Sequence, residues 1–334
     1  MAQIAIIGAG AIGSTIGGLL SRAGHEVTLI GRSAHLKAIA ENGLILNGSL
    51  GTLIVHPNTA EVLDFRPDFA FLTVKTQDVL SALETNQSHL DGAPLVTFQN
   101  GVQSDELVAT RLPKDQIISV VVNTGATYLS PGTVTVSYTG SLIVGCPFGA
   151  PDSRLETLAG ILNAAIPTRV SSNILGAHWL KLIVNLNNAL PAITNWTVPQ
   201  VMADPFLRQL SIRVMREGLQ VVNRAGIRLE SLADVSVSSI QMIAKLPIPL
   251  ASLFLASNTR RLKNEWPLLG STLQSLRRGR PTEIDYLNGE IVRVGRQHNT
   301  PTPLNAAIVD MVHQVERTGQ YCQTEAIRAF IEKA

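Results

Sequence analysis

An α/β fold, with a doubly wound parallel sheet followed by an all-helical domain, is what this chain predicts, and three observations carry the prediction. The apolar run Ile4-Ala5-Ile6-Ile7 passes straight into Gly8-Ala9-Gly10-Ala11-Ile12-Gly13, which reads as a strand feeding a helix through a glycine turn. From Met1 to about Val170, short β-branched strands alternate with helical stretches, as a parallel sheet with crossover helices requires. Beyond Thr168–Asn173 the β-branched signal stops and long helical segments follow. The expected domains are residues 1–170, a Rossmann-type dinucleotide-binding sheet, and residues 171–334, all helical.

In the glycine turn, Gly8 permits the tight bend, Gly10 lets backbone amides reach a pyrophosphate, and Gly13 lets helix and strand pack closely. The helix N-terminus adds partial positive charge for the phosphates. Small residues (Ser14, Thr15, Gly17, Gly18) continue the helix, and a second strand, Glu26–Ile30, follows at the expected distance. That strand closes on Ile30-Gly31-Arg32 rather than on an acidic residue. A guanidinium there suits a 2′-phosphate, so NADPH is favoured over NADH. Further strands are expected at Phe69–Val74, Leu95–Phe98 and Ile117–Val122. Two more, Thr133–Tyr138 and Ser141–Gly145, are expected to extend the sheet antiparallel through a hairpin at Tyr138-Thr139-Gly140.

Ligands of doubly wound sheets bind beyond the carboxyl ends of strands. Lys75 and the pair Asn100-Gly101 stand there; the alternatives are a solvent-facing strand end and an ordinary turn pair. Helices are expected over Ile174–Leu190, Phe206–Ala225, Leu268–Leu276, Glu283–Gln297 and Leu304–Thr318, with Pro247 and Pro249 marking a break between helices. In the first of these, Lys181, Asn185 and Asn188 stand at i, i+4 and i+7 on one face among Leu182, Ile183, Val184 and Leu186. An ammonium and amides in so apolar a helix need partners, so they mark a functional site or an amide network tying helices together. Lys181, with an ordinary pKa of about 10.4, could donate a proton to a carbonyl oxygen during hydride transfer, and the asparagines could hold the substrate. His178 is expected only to pack.

Composition narrows the field of functions. The chain has 334 residues, 45% of them hydrophobic, and a formal charge of +2. That length suits two compact domains. The charge is too small for a nucleic-acid binder, and the basic run Arg277-Arg278-Gly279-Arg280 reads as a solvated helix end closed by Gly279. No uncharged apolar stretch of about eighteen residues suggests a membrane span, and a cytoplasmic protein is expected. Cys146 and Cys322 stand alone and His residues lack zinc spacing, so no disulfide and no metal site is expected.

Taken together, these segments resemble the ketopantoate reductases (2-dehydropantoate 2-reductases). Gly8–Ser14, Thr73-Val74-Lys75-Thr76, Gln99-Asn100-Gly101, Trp179–Asn185, Ser271-Thr272-Leu273-Gln274 and Arg280–Gly289 are similar to that family's signature segments in order, and Pro301–Asn305 to its closing motif. The resemblance implies NADPH-dependent reduction of 2-dehydropantoate to pantoate, on the way to pantothenate and coenzyme A. It implies a helical domain like the C-terminal one of 6-phosphogluconate dehydrogenase, and a homodimer through that half. By the same resemblance Lys181 is the general acid, with Glu283 beside it contacting substrate hydroxyl or nicotinamide ribose. Gly8, Ala9, Gly10, Ala11, Ile12, Gly13, Arg32, Lys75, Asn100 and Glu283 would serve the cofactor. Asn100, Lys181, Asn185, Asn188 and Ser271 would serve the small 2-oxo acid. A plain carboxylate at a helix N-terminus is the other reading of Glu283.

Three positions depart from the family pattern. Where well-known members carry substrate asparagines this chain has Ala189 and Pro199, and Ser275 replaces a usual Asp. Asn188 and Asn195 are the residues able to compensate. The changes bear on which 2-oxo acid is taken, leaving open another 2-oxo acid or a β-hydroxyacid dehydrogenase on the same scaffold. A non-catalytic NADPH sensor is the third alternative; it would have no reason to keep Lys181, Ser271 and Glu283 together.

Overall fold

The computed structural model describes residues 1–259 and 269–332. The chain divides into two compact units, Met1–His178 and Trp179–Ala334. In the first unit the order is β1 (Gln3–Ile7), α1 (Ala11–Arg22), β2 (Glu26–Ile30), α2 (Ser33–Asn42), β3 (Leu44–Gly48), β4 (Leu53–Val55), β5 (Asn58–Ala60), β6 (Phe69–Leu72), α3 (Val79–Asn86), β7 (Leu95–Thr97), α4 (Ser104–Ala109), β8 (Ile117–Ser130), β9 (Thr133–Gly145), α5 (Ser153–Asn163) and β10 (Thr168–Val170).

The described strands form one sheet in the order β4-β3-β9-β8-β7-β6-β1-β2-β5, with β10 pairing β9. Strand β1 shows why it is parallel and central. Ile4 and Ile6 enter one apolar core and Ala5 and Ile7 the other, because successive side chains of a strand point to opposite faces. Both faces are therefore covered, as parallel sheets require. The chain leaves β1 toward β2 on one side and returns to β6 on the other. That reversal makes the carboxyl end of β1 the switch point where such sheets bind ligands.

One expectation about the sheet fails. The hairpin expected at Tyr138-Thr139-Gly140 lies inside one continuous strand, β9, which pairs antiparallel with β8. The register slips there, between Val122 and Thr124 and again between Gly125 and Ala126. The glycine allows close passage of β8 rather than a turn: a Cβ on Gly140 would collide with the Asn123 carbonyl. The real turn joins Ser130 to Thr133 through Gly132, whose φ of 77° needs no Cβ. The short strands β3, β4 and β5 were not anticipated.

Helix α6 (Ile174–Asn185) begins in the first unit and ends in the second. There it is followed by a 3₁₀ turn (Leu186–Asn188), α7 (Ala189–Thr194), α8 (Val198–Ala203), α9 (Pro205–Arg224), α10 (Val237–Lys245), α11 (Ile248–Thr259), α12 (Ser271–Arg277), α13 (Asn288–Gln297), α14 (Pro303–Thr318) and α15 (Thr324–Ile331). Helix α9 opens with Pro205 after an Asp204 cap that accepts from Leu207 N at 2.9 Å. Its buried Glu217 accepts from the Leu304 and Asn305 amides, both at 2.9 Å, so α9 caps α14. The helix expected over Ile174–Leu190 is broken by the 3₁₀ turn, where Asn187 is held to α9 by the Ser211 hydroxyl. Leu268, first residue of another expected helix, lies outside the described residues; the helix there is α12. In place of Glu283–Gln297 a 3₁₀ turn at Ile284–Tyr286 precedes α13.

Candidate active site

At the carboxyl end of β1 the three glycines differ in what surrounds them. Gly8 has a φ of 111°. A Cβ on Gly8 would lie 2.6 Å from Val74 N. A Cβ on Gly13 would lie 2.5 Å from the Thr73 hydroxyl and collide with the Gly8 carbonyl. These two are needed by the protein itself. Gly10 is different: a Cβ there would meet only the Gly8 carbonyl, at 3.9 Å. It caps α1 with no side-chain hydrogen bond to the first-turn amides, so the cradle is open at the place a pyrophosphate would occupy. The residues present fit a dinucleotide.

The loops after neighbouring strands are lashed together around this turn. Thr73 donates through Oγ1 to the Gly8 carbonyl at 2.7 Å. Gln99 Nε2 donates to the Leu72 and Val74 carbonyls at 2.8 and 2.9 Å. Thr76 Oγ1 reaches the Asn100 carbonyl at 3.4 Å. Lys75 and Asn100, each half-buried, are thereby fixed in adjacent loops beyond β6 and β7. On the other side, the Gly8 and Ala9 amides both donate to the Ile30 carbonyl at 2.9 Å. A Cβ on Gly31 would be 2.9 Å from that of Ala9, so the end of β2 lies against the turn. Arg32, exposed, is the N-cap of α2. All four sequence-predicted groups of this unit thus stand at the carboxyl ends of neighbouring parallel strands.

In the helical unit the structure brings Lys181 and Glu283 together. Burial pushes the Lys181 ammonium down to a pKa of about 8, and the Glu283 charge pulls the other way. Asn188 does not continue the α-helix that carries Lys181 and Asn185, but ends the 3₁₀ turn. Since residues three apart eclipse in that geometry, it stays in line with Asn185. Its Nδ2 points at Ser271 Oγ, 3.5 Å away, at the start of α12. Asn195 is not placed to compensate in the same way. It is exposed, has a φ of 60°, and accepts from Arg277 Nε and Nη2 at 3.0 and 2.9 Å. Ala189 is buried and Pro199 is exposed in the first turn of α8. Ser275 donates to the Ser271 carbonyl at 3.2 Å.

His178 does more than pack. Its Nε2 is 2.8 Å from Ser119 Oγ, which donates to Asp105 Oδ2 at 2.8 Å, while Thr97 Oγ1 donates to Asp105 Oδ1 at 2.5 Å. All four side chains are buried. The polar alternation Thr97/Ser119 on neighbouring strands could have signalled this, but a helix face does not announce its partner. Burial raises the Asp105 pKa, against its two hydroxyl donors. Among the described residues no helix is long and apolar enough to cross a membrane, and no group of three His, Cys, Asp or Glu could hold a metal.

Known proteins are similar to this chain along most of its length. The family models for ketopantoate reductase PanE/ApbA and its C-terminal domain match residues 4–148 and 173–316. A 2-dehydropantoate 2-reductase of Pyrococcus abyssi is 30% identical over 312 residues, covering 93% of this chain and 96% of its own. The crystal structure of a PanE/ApbA family ketopantoate reductase from Ralstonia eutropha JMP134 superposes with a TM-score of 0.78 at 31% identity, covering 96% of this chain and 100% of that one. The ternary structure of D-mandelate dehydrogenase with NADH and anilino(oxo)acetate shares the fold, at a TM-score of 0.79 and 24% identity over 95% of this chain and 99% of that one.

Proposed function

The chain belongs to the ketopantoate reductase family, and from that premise we propose that it reduces 2-dehydropantoate to pantoate with NADPH, in the cytoplasm, as a step toward pantothenate and coenzyme A. The observation that carries the reading is the pairing of Lys181, with its pKa brought to about 8, and Glu283, on a helical unit where Asn185, Asn188 and Ser271 supply neutral hydrogen bonds. A lysine so tuned is still mostly protonated at pH 7 yet gives its proton up more readily than an exposed one.

In this reading the sheet unit holds the cofactor. The first-turn amides of α1 take the pyrophosphate, Arg32 and Lys75 the adenosine phosphate end, and Asn100 the nicotinamide and substrate. When bound, the nicotinamide supplies a hydride to the carbonyl carbon. Lys181 donates the matching proton to the carbonyl oxygen, and its charge stabilises the alkoxide as it develops. Glu283 keeps the proton on Lys181 until then. Ser271 and Asn188 orient the carboxylate end of the acid, Asn188 standing in for the asparagine that Ala189 lacks. The homodimer implied by the family is part of the same proposal, with sedimentation equilibrium as its check.

The test is the initial rate of NADPH oxidation with 2-dehydropantoate, run beside a panel of other branched and aryl 2-oxo acids. A clear preference for 2-dehydropantoate supports the reading. Preference for another acid would transfer it to the second reading, a reductase of a different 2-oxo acid, which Ala189 and Pro199 favour. No turnover with any acid would sink both.

A further inference from the structure

His35 occupies a place that the dinucleotide reading does not use. It is buried in the first turn of α2, three residues after Arg32. Its Nδ1 accepts from the Gly132 amide at 2.9 Å. A backbone N–H can only donate, so Nδ1 is unprotonated and the neutral ring carries its proton on Nε2. That proton faces Ser14 Oγ, 3.0 Å away. Burial pushes the His35 pKa down and so favours this neutral form. The ring is packed against Tyr128, centroids 4.6 Å apart. Ser14 is fully buried in α1, next after Gly13, with its amide bonded to the Gly10 carbonyl at 2.9 Å.

The consequence concerns Arg32. The residue two before it is tied to the glycine turn, since the Gly8 and Ala9 amides donate to the Ile30 carbonyl. The residues after it are tied to α1, since the amide of His35 bonds to the Arg32 carbonyl at 3.1 Å while its ring bonds to Ser14. Arg32 is thus pinned from both flanks, with only its exposed side chain left to choose a position. We propose that His35 is a positioning residue for cofactor selection: through Ser14 it locks the helix that Arg32 caps to the helix that cradles the pyrophosphate, setting the reach of the guanidinium to the 2′-phosphate of NADPH.

The proposal rests on Arg32 being the 2′-phosphate partner, so the test carries R32A alongside. Dissociation constants for NADPH and NADH are measured by fluorescence titration for the wild type, R32A, S14A, H35N and H35Q, with melting temperatures recorded for each. An asparagine can place an acceptor near Nδ1 but cannot reach Ser14, whereas a glutamine can place a donor near Nε2. S14A and H35N should each weaken NADPH about two- to tenfold, the range of one neutral hydrogen bond, with NADH changed less than twofold, and H35Q should restore much of the loss. Lower melting temperatures with an unchanged NADPH-to-NADH ratio would make His35 merely structural and overturn the proposal. Selective loss in R32A with none in S14A or H35N would also overturn it while leaving the Arg32 reading intact. R32A without effect on NADPH would remove the Arg32 reading and the proposal together.

Discussion

Glu283 sits where its charge holds a proton on Lys181 against the burial that lowers the ammonium to a pKa of about 8. For a general acid the protonated form is the active one, so reductive kcat/KM should be level below that value and fall as pH rises through it. Removing the carboxylate takes away the interaction that raises the pKa. E283Q should therefore move the alkaline limb to lower pH. A profile flat from pH 7 to 9.5, or a limb that moves upward in E283Q, would exclude Lys181 as the acid.

Substituting the lysine itself separates chemistry from folding. The folded-state pKa lies below the unfolded value, so the folded protein binds this proton less well than the unfolded chain, a penalty present at every pH below the unfolded pKa. K181M should consequently melt at or above the wild-type temperature at pH 7. Turnover should drop about a hundred- to ten-thousandfold, the usual range for loss of a general acid, with NADPH affinity unchanged. Turnover retained within tenfold would return Lys181 to the status of a buried structural cation.

Arg32 is expected to discriminate cofactors. A charge-assisted contact contributes roughly 1.5 to 3 kcal/mol, so R32A should weaken NADPH binding about ten- to a hundredfold. NADH, which has no 2′-phosphate, should be spared. Equal losses for both, read by titration, would mean that Arg32 supports the loop and not the phosphate.

The Thr97, Ser119, Asp105 and His178 chain gives a stability prediction. S119A removes the hydroxyl that joins Asp105 Oδ2 to His178 Nε2, while Asp105 keeps the Thr97 hydroxyl. Each buried hydrogen bond lost costs about 0.5–1.5 kcal/mol, so the variant should lower the denaturation midpoint clearly in urea. A change under about 0.5 kcal/mol, ordinary for a surface substitution, would show that water or a neighbour replaces the hydroxyl.

The sheet and the glycine turn were legible because their signals are local: Ile4–Ile7 alternates between two cores and is followed at once by a motif whose spacing is set by backbone sterics. The position of Arg32, Lys75 and Asn100 just beyond strands was legible because strand ends are. The hairpin was misplaced because Tyr138-Thr139-Gly140 has turn composition, and only the pairing with β8 makes Gly140 a point of close passage. The break in α6 escaped because Leu186–Asn188 has helical periodicity, and the register changes where Ser211 of α9 binds Asn187. His35 drew no notice and His178 is expected only to pack, for one reason. Their partners are 21 and 59 residues away in sequence, and no pattern within a window reports such a contact.

Gly10 and Gly13 should fail in opposite ways when given a methyl group. On Gly13 the added Cβ meets the Thr73 hydroxyl at 2.5 Å and the Gly8 carbonyl, both fixed by the hydrogen bond between them, so the strand and helix must move apart. G13A should lose several kcal/mol of stability, above the usual 0.5–3 kcal/mol of a point substitution or near its upper end, and bind no cofactor as a result. On Gly10 the Cβ has open space on the protein side. G10A should therefore melt within about 1 kcal/mol of wild type while losing NADPH affinity, because the methyl group occupies the approach to the first-turn amides. Should G10A bind NADPH as the wild type does, the open side of the turn is not where the pyrophosphate lies. In that case the cradle would have to be sought beyond the carboxyl ends of β6 and β7, toward Lys75 and Asn100.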